Sequence, residues 1–124
     1  MIACIAVGCG GFLGAVLRYL LGLIPLEGTR GFPLVTLLIN LAGSFAIGVI
    51  AEAAGARNAG KGPVALFLKV GICGGFTTFS TFALETGDLI LNRRGGLAAA
   101  YMAASLALCV LGAVLGRLAA RRVL

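Results

Sequence analysis

Charged residues punctuate this chain sparsely, and the intervals between them predict its elements. Residues 31–51 and 95–116 carry no charge, runs of 21 and 22 residues. A bilayer core of about 30 Å takes about 20 helical residues at about 1.5 Å each, so both intervals predict membrane spans. Residues 1–17 are uncharged as far as Arg18, which predicts another span whose arginine snorkels to an interface or lines a wet cavity. No basic region precedes this apolar run, so it reads as the start of a span rather than a cleaved signal peptide. Between Lys69 and Glu85 lie only 15 residues, about 22 Å if helical and too short to cross. The whole of 63–91, in contrast, is too long for a straight span. It resolves as a long helix broken near Gly74-Gly75, where two glycines and the β-branched Thr77 and Thr78 weaken helix continuity. Backbone freed at such a break must be buried in protein or line a cavity. The fold expected is an all-α membrane protein, one membrane domain over residues 1–124 with spans at roughly 2–24, 32–53, 63–91 and 95–119.

Short connections join the spans, at about 24–31, 53–63 and 92–96. Four spans put both termini on one side of the membrane. That side, with the middle loop, collects Arg57, Lys61, Lys69, Arg117, Arg121 and Arg122; the other collects Arg18, Arg30, Arg93 and Arg94. So small a bias orients the chain weakly, and insertion in both directions as an antiparallel homodimer is expected. Small residues recur four apart, as Gly10 and Gly14, Ser44 and Gly48, Gly71 and Gly75, Gly112 and Gly116. Such pairs let helices approach closely in lipid and read as packing faces.

Composition agrees with the pattern. Hydrophobic residues make up 60% of the 124, charged residues 11%, and mean hydropathy is +1.12. A soluble domain of this size would need more charge to cover its surface. The net charge of +6 arises from basic residues dispersed at span ends. Without a stripe of interleaved aromatics they suit lipid headgroups and give no support to nucleic-acid binding. Histidine is absent, and Cys4, Cys9, Cys73 and Cys109 form no CxxC pair. That removes the usual zinc and general-base arrangements, and the cysteines read as buried thiols. GCGGFLG at 8–14 superficially matches a dinucleotide fingerprint, but no βαβ unit surrounds it.

Polar residues inside the spans fall into ladders. Thr36, Asn40 and Ser44 share one face of the second span at i, i+4 and i+8, and Tyr101, Ser105 and Cys109 repeat the spacing on the fourth. Thr77, Thr78, Ser80 and Thr81 add hydroxyls from the third. Serine and threonine in membrane helices commonly bond their own backbone or a neighbouring helix. A central asparagine has more hydrogen-bonding capacity to satisfy. Two ladders, a broken helix and Asn40 together favour a permeation path. Its hydroxyl and amide donors, with the positive ring edges of Phe79 and Phe82, suit a small anion, whereas cation paths use carbonyl or carboxylate rings. From spacing alone, phenylalanines at i and i+3 serve equally well as core packing.

The segment GICGGFTTFSTF at 71–82 resembles the signature of the fluoride channels of the CrcB/Fluc family. NLAG at 40–43 is similar to their second-span motif and GAVLRY at 14–19 to their first-span arginine motif, and motif order and span number match along the whole chain. The resemblance implies a dual-topology antiparallel homodimer with two pores that export fluoride passively from the cytoplasm of a microbe and confer fluoride resistance. Matched by motif, Phe79 and Phe82 correspond to phenylalanines whose ring edges face fluoride, and Asn40 to a pore asparagine. Ser80, Thr81 and Thr36 fall at polar pore contacts, and Tyr101 and Ser105 on the fourth-span polar track. Cys109 stands where a further serine is expected. The resemblance also implies a structural sodium ion at the dimer centre, held by the backbone carbonyls of Gly74 and Thr77. Arg18 matches an arginine near a pore mouth and Glu85 a vestibule glutamate.

Two other readings stay in view. A proton-coupled four-span exporter would need an ionisable residue in the first span, ordinarily a carboxylate, and residues 1–24 contain none. A non-transporting membrane subunit, packed against a larger partner, would need no polar ladders. Neither reading, nor the channel, makes the chain an enzyme.

Overall fold

The computed structural model describes residues 1–26, 31–56 and 60–123, all of them helical or in connections. Helix α1 runs Ile2–Gly22 and α2 runs Leu34–Ala56. The third span, Pro63–Leu91, is divided. Its first half, α3, covers 63–76 and passes from an α-helical turn at Pro63–Leu66 through a π-helical stretch at Phe67–Cys73 to a last turn at Gly74–Phe76. Its second half, α4, is Phe79–Leu91, and α5 follows at Gly95–Val123. Among the described residues four helical segments are long and apolar enough to cross a membrane. The loop positions Arg30 and Arg57, two of the charges that bear on orientation, lie outside the described residues.

Glycines decide which helices touch. The small-residue faces of α1 and α3 meet, so that a Cβ on Gly71 would stand 2.8 Å from the Cα of Gly10. On the other pair, a Cβ at Gly48 of α2 would collide with the Ala113 carbonyl of α5, and one at Gly116 with the carbonyl of Phe45. Backbones this close gain dispersion contacts that lipid tails cannot supply, which is what holds helices together where no water drives them. An ion pair, Arg121 Nε to Glu52 Oε1 at 2.7 Å, ties α5 to α2 at one end.

The break lies at Thr77-Thr78, just past the glycines where the sequence places it. Gly74 and Gly75 remain helical, and Gly75 is spent on packing: a Cβ there would stand 3.0 Å from the Cα of Gly11. The two threonines turn extended instead, with ψ 154° at Thr77 and φ −146° at Thr78. Branching at Cβ makes them comfortable there. Thr78 then restarts the chain as the N-cap of α4, its hydroxyl accepting from the Thr81 N–H at 3.2 Å.

The turn after α4 contains a second departure from helix geometry. Arg93 adopts φ 59°, while the Arg93 and Arg94 N–H groups bond back to the carbonyls of Ile90 and Leu89 at 3.0 and 2.8 Å. This is the Schellman closure, with arginine at the position glycine usually takes.

Candidate functional site

Interrupting a helix at membrane depth orphans backbone groups, and side chains from two other helices take them up. In a continuous helix the Thr78 N–H would bond the Gly74 carbonyl. It goes instead to Asn40 Oδ1 at 2.7 Å, while Asn40 Nδ2 donates to the Thr78 carbonyl at 3.1 Å. One carboxamide thus mimics a backbone pair. The Gly75 carbonyl, whose helical donor would be Phe79, accepts from Arg18 Nε at 3.1 Å. On the α3 side the Thr77 N–H and hydroxyl both bond the Cys73 carbonyl, at 3.0 and 2.9 Å.

A cavity of about 590 Å³ opens beside this break. Asn40 and Ser44 of α2 line it, with Gly74, Thr77 and Thr78 from the break, Phe79 and Phe82 from α4, and Ser105 and Cys109 from α5. No charged side chain is among its lining residues. Asn40 has a second amide hydrogen beyond the one given to Thr78. Ser105 Oγ is buried without a hydrogen-bond partner. An unpaired buried hydroxyl costs about 1–3 kcal/mol, so this atom marks a place where a polar guest gains. Phe79 is 80% exposed and its ring centroid lies 5.4 Å from that of Phe82.

The other expected site residues gather one turn away. Thr36 Oγ1 donates to Glu85 Oε1 at 2.7 Å and the Tyr101 hydroxyl to Oε2 at 2.6 Å. Tyr101 is fully buried, its ring 5.1 Å from Phe82 and 5.4 Å from Phe32 in an edge-on contact. The row Phe79, Phe82, Tyr101 therefore links the first cavity to the Glu85 cluster. Glu85 also borders a second cavity of about 650 Å³, shared with Asp88, Asn92 and Arg94. Both ladders thus run along one continuous side of the bundle, with Thr36 and Tyr101 at the carboxylate and Asn40, Ser44, Ser105 and Cys109 at the neutral cavity. Ser80 and Thr81 stand apart from the cavity wall: Ser80 is exposed, its Oγ 3.3 Å from Thr78 Oγ1, and Thr81 Oγ1 accepts from Thr78 Oγ1 at 3.0 Å.

A model of the family described as CrcB-like protein, Camphor Resistance (CrcB), matches residues 5–117. The chain belongs to the CrcB family. A relative from Ruminiclostridium cellulolyticum is 42% identical over 124 residues, covering 99% of this chain and 95% of that protein. One from Chlorobaculum tepidum is 49% identical over 102 residues, 82% of this chain and 80% of its own, and one from Deinococcus radiodurans 44% over 115 residues, 91% and 90%. Each is named fluoride-specific ion channel FluC. With its four apolar helices, this CrcB-family chain is a multi-pass membrane protein of a microbe.

Within this CrcB-family bundle, three residues do work that spacing did not reveal. Arg18 reaches the break itself, where a charged donor serves a carbonyl. Glu85 is the acceptor on which two ladders converge. Thr78 binds Asn40 through its backbone and caps α4 through its side chain. The Thr-Thr doublet was the available signal for Thr78; Arg18 and Glu85 are charges inside long apolar runs, which marks a residue for scrutiny and leaves its partner unnamed.

The Gly74 and Thr77 carbonyls suit a hard monovalent cation. Gly74 has lost its helical donor to Asn40, Thr77 is extended, and both line the first cavity. Among the described residues no group of three or more His, Cys, Asp and Glu could hold a metal, so backbone oxygen is the donor type the break provides.

Proposed function

We propose that this chain forms a passive, fluoride-selective channel that exports fluoride from the cytoplasm and confers fluoride resistance. The observation that carries the reading is the first cavity: hydroxyl- and amide-bearing side chains and two phenylalanines line a space that no charged side chain borders. Its relatives' printed name points to the same ion.

The physical obstacle is dehydration, because fluoride is small and strongly hydrated. Ser105 Oγ–H and the second hydrogen of Asn40 can donate to it, and the edges of Phe79 and Phe82 present partial positive charge. Several neutral contacts hold an anion well enough to admit it and loosely enough to release it. At the Glu85 level a fluoride ion would be repelled by the carboxylate while drawn to the hydroxyls of Thr36 and Tyr101. Rotation of either hydroxyl from Glu85 to the ion hands it onward. Ser80 and Thr81 contribute through Thr78, whose hydroxyl they orient.

The working unit in this reading is an antiparallel homodimer of two oppositely inserted copies, with two pores. Support comes from the small charge bias across the spans and from Phe79, a large ring left 80% exposed beside the cavity and best covered by a second copy. A structural sodium ion at the dimer centre would be held by the carbonyls of Gly74 and Thr77. When bound, it supplies fixed positive charge close to the anion path.

Purified protein in liposomes, with fluoride and chloride electrodes read in parallel, tests the proposal. Fast fluoride release with little chloride release is expected. Silence from folded dimer would replace the channel with a partner-dependent subunit.

A further inference from the structure

Gly10, Gly14 and Arg18 follow one another at i, i+4 and i+8 on a single face of α1. The glycines let α3 come close: a Cβ on Gly14 would stand 2.8 Å from the Phe76 nitrogen. One turn on, the half-buried Arg18 meets the end of α3, and its Nε donates to the Gly75 carbonyl at 3.1 Å. That carbonyl has a rival donor. In a continuous third span it would accept from the Phe79 N–H, which here opens α4 and so has no intrahelical partner. Asn40 of α2 meanwhile holds the Thr78 N–H, whose helical acceptor would be the Gly74 carbonyl. Two side chains from different helices thus occupy groups that must pair with each other for the break to close.

We propose that Arg18 is a positioning residue of the anion path: by holding the Gly75 carbonyl it keeps the third span broken, and so sets where α4 places Phe79, Phe82 and Glu85. The inference rests on the channel reading above and deepens it. Thr77 and Thr78 are extended, and an extended residue advances about 3.3 Å against about 1.5 Å in a helix. Closing the break would therefore draw α4 about 3–4 Å toward α3. The hydrogen bonds from Thr36 and Tyr101 to Glu85, 2.7 and 2.6 Å long, cannot stretch that far, and the 5.1 Å contact of Phe82 with Tyr101 would be lost with them. Arg18 is not among the lining residues of either cavity, so its effect on the path runs through the backbone it holds. The working part is the donor at Nε, and the charge is secondary. Two substitutions separate them. The amide nitrogen of glutamine sits as many bonds from Cα as arginine Nε and keeps a neutral N–H there, whereas the methyl of methionine fills the same place with no donor.

The experiment compares Arg18→Gln and Arg18→Met in the full chain, by fluoride and chloride efflux from liposomes at saturating fluoride. Arg18→Met should lose at least about tenfold in fluoride flux and lower the fluoride-to-chloride ratio, while Arg18→Gln should stay within about twofold on both. A readout independent of flux follows the break itself. Spin labels on cysteines placed at the exposed Val64 of α3 and Leu84 of α4 report the length of the third span, in chains whose native cysteines are serine and which are diluted with unlabelled copies. The separation should shorten by about 3–4 Å in Arg18→Met and hold in Arg18→Gln. Equal loss in the two variants overturns the inference, because charge or bulk would then be the working part. An unchanged separation in Arg18→Met overturns it too. Should Arg18→Met fail to assemble, Arg18→Gln carries the test, and a tenfold loss of flux or a shortened span in that variant overturns the inference. Absence of fluoride efflux from the unsubstituted protein refutes the channel reading instead, and the label separation then decides the role of Arg18 by itself.

Discussion

Asn40 does the work of a helical turn with one side chain. Its carboxamide gives the Thr78 backbone both an acceptor and a donor, in a place where lipid offers neither. Asn40→Ala orphans an N–H and a carbonyl, at about 1–3 kcal/mol each. Thermal unfolding of the detergent-solubilised protein should show a lower midpoint, and fluoride efflux should fall with it. Asn40→Asp keeps the acceptor and loses the donor, and should fall between the two in stability. The phenylalanines should behave differently. Phe79→Ile or Phe82→Ile removes a ring edge worth about 0.5–1.5 kcal/mol to a nearby partner, so efflux should drop several-fold to about tenfold with folding and assembly intact. Undiminished efflux in both variants would take the rings out of the path. Residue type and spacing identified Asn40, Ser105 and the phenylalanines as notable. Which hydrogen bonds they make was not legible, because Asn40's partner lies 38 positions away on another helix and Arg18's lies 57 away.

At the scale of elements, the helix pairs are set by glycine. Gly48→Ala drives a Cβ into the Ala113 carbonyl, which has no flexible end to yield, and should destabilise the α2–α5 pair by about 1–3 kcal/mol. Gly8→Ala is the control, since a Cβ there meets nothing within 4 Å. Equal melting of the two variants would deny the close contact. The turn after α4 should respond in the opposite sense: Arg93→Gly relieves a left-handed backbone and should stabilise the fold by about 1 kcal/mol. Helix existence was plain in the charge-free runs. The point of rupture was not, since glycines weaken a helix in isolation, but Gly75 packs here against Gly11, which it allows so close, and stays helical.

For the whole molecule, the decisive quantity is orientation. A cysteine at Gly60, in the middle loop and with open space around it, should be labelled from both faces of the membrane in cells if two copies insert oppositely. One-sided labelling would exclude the antiparallel dimer and leave Phe79 exposed to lipid. In the proposed assembly a second copy would supply the wall that the first cavity lacks on one subunit.

The sequence by itself determined the number of spans, their apolar character, the interruption of the third and the polar ladders, because hydropathy and helical periodicity are local properties. Its motifs also identified the family. Tertiary structure decided the rest. It set the break at Thr77-Thr78, since Gly75 was needed against Gly11, and it assigned Asn40 and Arg18 to the freed backbone. It also divided the ladders between a carboxylate and a neutral cavity. Each of these outcomes depends on which distant group lies within about 3 Å, the range over which a hydrogen bond acts, and periodicity along one helix carries no record of that distance.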